Sequence, residues 1–385
     1  ERGDNPIVSI HDHGAGCHLN CCSELVETTG GAIDIDQLPI GDPTLSMKEI
    51  IGNESQERMG LIIAPDHLPL LEQIAERERA PLYVVGEVTG DQRFVFRSGS
   101  TGREPMNLAL TDLFGSSPQT VMEDRSVERR YADVNYEPAH LQRYLEQVLR
   151  LEAVACKDWL TNKVDRCVGG LVAKQQCAGP LQLPLNDCGV MALDFDSGQG
   201  VATAIGHAPV NGLIDPAAGS RNAVAEALAN LVWAPLENGI RSVSLSANWM
   251  WPCRNKGEDA RLYAAVQAAS DFCIALGVNI PTGKDSLSMK QKYENEEVLS
   301  PGTVIISSAG VCADLNKVVE PVLQRDGGPI CYVNLSMDDY HLGGSSFAQV
   351  RNRVGSTAPD IRDAERFAAT FDAIQELIKA GQIVA

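Results

Sequence analysis

Apolar and polar positions along this chain follow two rhythms. Pro6–Ile10 (PIVSI) is a short β-rich run that ends at His11-Asp12. Beyond Gly14-Ala15-Gly16, the segment CHLNCCSELVE sets Leu19, Cys22, Leu25 and Val26 at helical spacing. The pattern predicts strand, Gly-rich turn, helix. GGAIDIDQLPIGDPTLS (30–46) then reads as strand and loop, GLIIA (60–64) as a buried strand, 65–80 as a helix and PLYVVGEV (81–88) as a strand. Such alternation argues for an α/β layer.

From about Thr111 to Glu137 the chain turns polar and reads as a linker. A helix is expected from Pro138 to about Ala155, then short apolar runs rich in Gly and Pro. GSRNAVAEALANLVWAPL (219–236) predicts a helix with Ser220 as its N-cap. IRSVSLSAN (240–248) reads as a strand, 257–277 as a helix, NIPTGKDSLSMK (279–290) as a loop and TVIISSAGVCAD (303–314) as a strand. Near Lys317 a new unit begins. PICYVNLS (329–336) predicts a strand, GGSSFAQV a Gly turn entering a helix, and 363–381 a strongly amphipathic helix.

Composition narrows the function classes. The 385 residues suffice for two to three domains, and 44% are apolar. The 51 acidic against 32 basic residues give a formal charge of −19, which argues against a nucleic-acid or anionic-membrane surface. A cytoplasmic protein is expected. An anionic substrate would need backbone N–H groups, Arg or a metal ion at a local site. No apolar run reaches a membrane span. The first residues, ERGDNP, read as mid-chain sequence, and a fragment of a longer protein is expected. Eleven irregularly spaced Cys without a C-x-x-C pair point to reduced thiols rather than a disulfide framework.

Ser9–Cys22 holds three His and three Cys. Zinc sites want closely spaced ligand pairs with a second pair further on, and no second cluster of that kind exists. A Gly-rich turn at a helix start can instead take an anion, and an Asp at a strand end can hold Mg²⁺. The expectation is a phosphate–Mg²⁺ loop, with its Cys and His incidental; a structural turn is the plain alternative. Elsewhere, Glu226 and Asn230 lie four apart on one helical face and Asp187 precedes an apolar strand. This hard-oxygen set suits Mg²⁺, although a solvated face and a turn Asp would look the same. Asn53–Arg58 offers donors and acceptors in a row, with Arg58 able to clamp a phosphate or carboxylate or simply to pair on a surface loop. Lys284, in PTGKDSLSM, could neutralise a phosphate, but the P-loop spacing is missing and a capped turn fits as well. Asp165–Gly170 is a Gly turn of equal ambiguity.

Six ordered blocks, SIHDHGAG, GNESQERMGL, DRCVGGLVAKQQCAGPLQLPLNDC, GSRNAVAEALANL, LSANWM and PTGKDSLSM, resemble the central part of the large-form phosphoribosylformylglycinamidine synthase family. The resemblance spans nearly the whole chain. It implies an ATP-dependent amidotransferase of purine biosynthesis, which turns formylglycinamide ribonucleotide, ATP and glutamine into the amidine, ADP, phosphate and glutamate. It implies tandem A and B α/β domains like aminoimidazole ribonucleotide synthetase, truncated at both ends: 1–124 as part of a first B domain, 125–152 as linker, 153–312 as a second A domain, 313–385 as the start of a second B domain. One nucleotide site of that family is catalytic and the other holds a structural ADP with Mg²⁺.

Carried over by motif, Asp187, Glu226 and Asn230 resemble the metal ligands of the auxiliary site, with Asn186 beside the nucleotide and Lys284 as a further nucleotide contact. His11 and Asp12 resemble a Mg²⁺–ATP loop, and Glu54, Ser55, Gln56, Glu57 and Arg58 a substrate-binding stretch. Cys17 departs from the family, which usually has a third Gly there. The first A domain and the glutaminase that would supply ammonia lie outside these residues, as would the second His-Asp loop, so the chain alone is expected to be inactive. Alternatives are a non-catalytic Mg–ADP-binding module, a metal scaffold built on the Cys/His cluster, and a related synthetase of the same fold, which the NESQERM block and tandem length oppose.

Overall fold

The computed structural model describes residues 5–385 except 53, 55, 56, 117, 118, 162, 165, 168, 326 and 337–339. The chain divides into two units, Glu1–Thr120 and Val121–Ala385.

In the first unit, β1 (Ile7–Asp12) leads into α1 (Cys17–Leu25), β2 (Gly31–Asp34), α2 (Met47–Gly52), β3 (Met59–Ile63), α3 (Leu68–Glu78), β4 (Gly86–Val88), β5 (Arg93–Arg97), β6 (Met106–Ala109) and α4 (Leu110–Phe114). β1 and β3 pair antiparallel, with His11 opposite Gly60 and Asp12 opposite Met59. The other strands form one sheet in the order β4-β2-β5-β6. Alternation along β5 sends Phe94 and Phe96 inward, where their rings meet edge to face at 5.1 Å. Ile33, Ile35, Ile50, Ile51, Cys22 and Val26 close the core around them. Of the strand expected over 81–88, only Gly86–Val88 pairs.

In the second unit come α5 (Leu141–Leu149), α6 (Asp158–Thr161), β7 (Val172–Lys174), β8 (Cys177–Ala178), β9 (Leu183–Pro184), β10 (Cys188–Ala192), β11 (Gly200–His207), α7 (Pro209–Ile214) and α8 (Pro216–Leu231). They are followed by β12 (Ser244–Met250), α9 (Glu258–Leu276), β13 (Asn279–Ser286), β14 (Lys290–Lys292), β15 (Glu297–Leu299), β16 (Thr303–Cys312), α10 (Ser346–Val350) and α11 (Ala364–Lys379). Six strands form a sheet in the order β13-β12-β16-β11-β10-β7, in which the β12–β13 pair is parallel. Residues of α8, α9 and α11 bury their apolar sides in one core with this sheet.

Four expectations need correction. Ser220 is not an N-cap but lies inside α8, buried, with its hydroxyl donating to the Ala265 carbonyl. The cap is Asp215, whose carboxylate accepts from Ala217 and Ala218 N–H ahead of Pro216. The helix expected to reach Ala155 ends at Leu149. The stretch 279–290 is largely strand, because β13 finds a parallel partner in β12. The PICYVNLS strand is absent: Ile330 is 84% exposed and the run has no ladder partner among the described residues.

Residues beyond 312 return onto the sheet's helical side. Phe367 meets Phe272 of α9 at 6.1 Å. Gln375, 1% exposed, donates to the Val232 and Ala234 carbonyls at 2.6 and 2.9 Å and accepts from Leu236 N–H at 2.6 Å. Gln375→Ala strands three buried backbone groups, each costly to leave unpaired. We expect a loss of about 2–3 kcal/mol, read as an earlier midpoint in urea unfolding. Asp360, 4% exposed at its side chain, accepts two 2.8 Å bonds from Arg221 of α8. Burial pushes its carboxyl up, but the bonds and charges of Arg221 and Arg362 outweigh this and hold it below the ordinary value. Its stabilisation is therefore present above the unfolded carboxylate range and fades as pH falls through the folded value.

Candidate functional site

Two stretches singled out in the sequence meet in the first unit. β1 delivers His11 and Asp12 to the turn before α1. Gly16, at φ 80°, sits in the left-handed region where Gly is unstrained, and Cys17 follows at φ 44°. Cys17 thus adopts a Gly-like backbone, at a cost of about 1–2 kcal/mol. Glu54 accepts the Gly16 N–H at 3.4 Å, and the Arg58 carbonyl accepts His13 N–H at 3.0 Å. A carboxylate therefore already holds an N–H at this helix start, which is the kind of partner such an end favours. The Cys17 N–H is likewise engaged, by the Gly14 carbonyl at 3.0 Å.

Asp12 is exposed, and His11 is half-buried with Nδ1 3.4 Å from Glu24. Glu57 stands in the left-handed region at φ 60° and is exposed. Ser55 and Gln56 lie outside the described residues, as does Asp165 of the Gly turn. Behind the loop, burial, with the charges of His13 and Arg58, holds the His18 imidazole down at about 4. His13 is lowered too, chiefly by burial.

In the second unit α8 carries the oxygen donors. The face of β11 toward α8 consists of Ala202, Ala204 and Gly206, all small. A Cβ on Gly206 would stand 2.2 Å from Ala227 N and 2.3 Å from Ala223 O, so only Gly admits the helix this close. That approach sets Glu226 and Asn230 at the strand's end. Glu226 accepts His207 N–H at 2.5 Å, and Asn230 donates to the Ile205 carbonyl at 2.9 Å. Glu226 is the one exposed residue of α8, a helix otherwise buried or half-buried throughout. Asp187, also exposed, stands one residue before the Cys188–Ala204 pair and so beside Ile205.

Sequence spacing puts Glu226 and Asn230 on one face; the fold brings Asp187 to the same sheet end. The donor set fits Mg²⁺. Asn230 spends its amide nitrogen on the backbone, which leaves its oxygen as the metal-type donor, and Asp187 and Glu226 are exposed, with one Glu226 oxygen held by His207 N–H. Asn186 uses its Nδ2 on the Gln175 carbonyl at 2.7 Å and so clamps the preceding turn. Lys284 is elsewhere. It touches Ser286 and lines an open groove of about 430 Å³ with Trp249, Ile280 and Thr282. Four strand spacings, roughly 19 Å, separate β13 from β10.

None of the eleven Cys is in a disulfide. Burial pushes the Cys188 and Cys273 thiols up to about 12 and about 11, which suits packing rather than nucleophilic work. Among the described residues, His13, Cys17 and His18, expected to be incidental, are buried together.

Comparison with known proteins agrees with this architecture. Residues 1–99 match the family described as AIR synthase related protein, C-terminal domain, and residues 156–311 the FGAR-AT PurM_N-like domain. Phosphoribosylformylglycinamidine synthase of Homo sapiens is 40% identical over 393 residues, covering 97% of this chain and 29% of that protein. The probable chloroplastic/mitochondrial counterpart of Arabidopsis thaliana is 38% identical over 393 residues, covering 98% and 28%. Thermotoga maritima PurL complexed with FGAR superimposes with a TM-score of 0.62 at 18% identity, over 97% of this chain and 52% of that one. Complexed with ATP, PurL gives 0.59 at 20%, over 82% and 48%. At such identities the likeness is one of fold.

The chain has the α/β fold of the AIR synthase-like proteins, with residues 1–99 matching the AIR synthase-related C-terminal domain. Along nearly its whole length it is similar to the phosphoribosylformylglycinamidine synthases, and it spans about 29% of the length of the curated relatives it matches.

Proposed function

We propose that this chain is the central segment of an ATP-dependent ligase that converts formylglycinamide ribonucleotide, ATP and glutamine to formylglycinamidine ribonucleotide, ADP, phosphate and glutamate. The observation that carries the reading is the match along 97% of the chain to relatives named for that activity. In this reading 1–124 belongs to a first B domain, 125–152 is linker, 153–312 is a second A domain and 313–385 begins a second B domain. Ammonia comes from a glutaminase region outside this chain.

Asp187, Glu226 and Asn230 hold the Mg²⁺ of an auxiliary nucleotide, with Asn186 fixing the turn beside it. Mg²⁺ supplies neutralisation of the phosphate charge when bound. Asp12 and His11 serve the Mg²⁺–ATP loop of the catalytic half, and Glu54 to Arg58 face the ribonucleotide. Arg58 is the cation suited to a phosphate. Lys284 stays a nucleotide contact only if its groove takes part in a separate site. A net charge of −19 fits small anionic ligands held locally rather than nucleic acid or membrane. No helix among the described residues is long and apolar enough to cross a membrane. A cytoplasmic setting fits the reduced thiols.

Equilibrium dialysis against labelled ADP tests the reading. One ADP per chain is expected with Mg²⁺ and none after chelation. A folded chain that retains no ADP with Mg²⁺ would overturn it. Without the other segments, no turnover is expected with ribonucleotide, ATP and ammonia.

A further inference from the structure

The helix start in the first unit gathers three metal-ligating side chains that the ligase chemistry does not use. His13 follows β1; Cys17 and His18 open α1. They are 7%, 0% and 4% exposed. One ligand atom of each lies within 4.8 Å of the other two.

Their contacts fix where the protons are. Arg58 Nη1 is 3.4 Å from His18 Nε2, and a guanidinium can only donate, so Nε2 accepts. Neutral His18 then carries its proton on Nδ1 and donates it to His13 Nε2, 3.1 Å away. His13 is left with its own proton on Nδ1, which is buried without a hydrogen-bond partner.

A metal ion there would leave that proton in place and bind the other ring nitrogens. Two zinc–nitrogen bonds of about 2.0–2.1 Å at a tetrahedral angle set their nitrogens roughly 3.3 Å apart. The two imidazoles already stand at nearly that separation, with a proton between them, and the Cys17 sulfur lies within reach as a third ligand. We propose that His13, Cys17 and His18 form a site for a borderline-soft divalent cation, zinc foremost. Its nitrogen and sulfur donors set it apart from the hard-oxygen Mg²⁺ positions, and it stands whether or not the chain serves the ligase.

Loading is balanced as follows. The Cys17 thiol releases its proton to solvent. The His18 proton moves from Nδ1 to Nε2, and the metal takes the lone pairs of both imidazoles. Arg58 then faces an N–H and must withdraw. Its charge opposes the cation, so Arg58→Gln, whose amide oxygen can accept that N–H, is expected to tighten binding.

The test is a Co²⁺ titration of the chelator-stripped chain followed by absorption, with Zn²⁺ as competitor. One equivalent should give tetrahedral visible bands and a thiolate-to-cobalt charge-transfer band, both erased by Zn²⁺. Cys17→Gly relieves the left-handed backbone and should keep the fold by circular dichroism while losing the thiolate band. His18→Asn should keep that band and weaken Co²⁺ by about tenfold or more, since even outer groups around a metal are worth that much. Spectra unchanged in both variants would put the metal on other thiols and overturn the proposal. So would a folded wild-type chain without these bands. Should Cys17→Gly fail to fold, the His18→Asn affinity decides.

Discussion

Gly206→Ala lowers the melting temperature of the second unit by roughly 10 °C, following a loss of about 3 kcal/mol or more. The added methyl meets Ala227 N at 2.2 Å and Ala223 O at 2.3 Å, both backbone atoms of α8. No rotamer change can clear them, so the helix must back away from β11. That helix lies at the centre of the unit's core, with Ala223, Val224, Ala227, Leu228 and Leu231 buried. The retreat also draws Glu226 and Asn230 from the His207 and Ile205 backbone, so the proposed nucleotide binding should weaken along with stability. Gly189→Ala on neighbouring β10 is the control. Its nearest atom is Thr203 Oγ1 at 3.6 Å, an ordinary contact, and its melting curve should barely move. Differential scanning calorimetry of the two variants reads the difference.

The second large effect is expected from Glu226→Gln, which separates charge from fold. The Gln oxygen can still accept the His207 N–H that Glu226 now takes at 2.5 Å. Stability should therefore stay near wild type. Under the proposed assignment the lost negative charge removes a Mg²⁺ donor, at a cost of about 2–5 kcal/mol, or roughly 30-fold or more in Mg²⁺-dependent ADP affinity. Equal ADP affinity in wild type and variant would show that Glu226 does not contact the cation and is only a cap on the β11 terminus.

Particular residues show why some of this is legible in the sequence. Glycines bound the helix expected over 257–277, and Gly257 and Gly277 do cap α9 in the left-handed conformation. The Glu226–Asn230 pair is legible because helical period fixes a shared face whatever the tertiary setting. Strand pairing brings Asp187 beside Ile205, at the sheet end where Asn230 bonds the backbone, which a spacing rule cannot see. Ser220 misleads because an N-cap-type residue inside a helix looks like its start; the Asp215-Pro216 pair, cap and first turn, is the stronger signal. β13 reads as a loop because Pro281, Gly283 and the charged Lys284 and Asp285 break any apolar alternation. Most of its residues are exposed, and it holds its place through its ladder with β12. PICYVNLS shows the converse, an apolar run that the described structure leaves unpaired. The Cys/His cluster is visible in the sequence, but which members meet is not: His13, Cys17 and His18 come from a strand end and a helix start, joined by a turn rather than by paired ligand spacing.

The central claim is that Asp187, Glu226 and Asn230 hold a nucleotide's Mg²⁺ in a segment of the ligase. Its most direct test is a calorimetric titration with ADP, with and without Mg²⁺, of wild type, Asp187→Asn and Asp194→Asn. Asp194 is an exposed turn carboxylate whose oxygen accepts from Asp196 and Ser197 N–H, so its variant controls for loss of surface charge. The account predicts Mg²⁺-dependent binding of one ADP in wild type and Asp194→Asn, and its loss in Asp187→Asn with the fold retained. Binding that survives Asp187→Asn unchanged, or that needs no Mg²⁺, would contradict it.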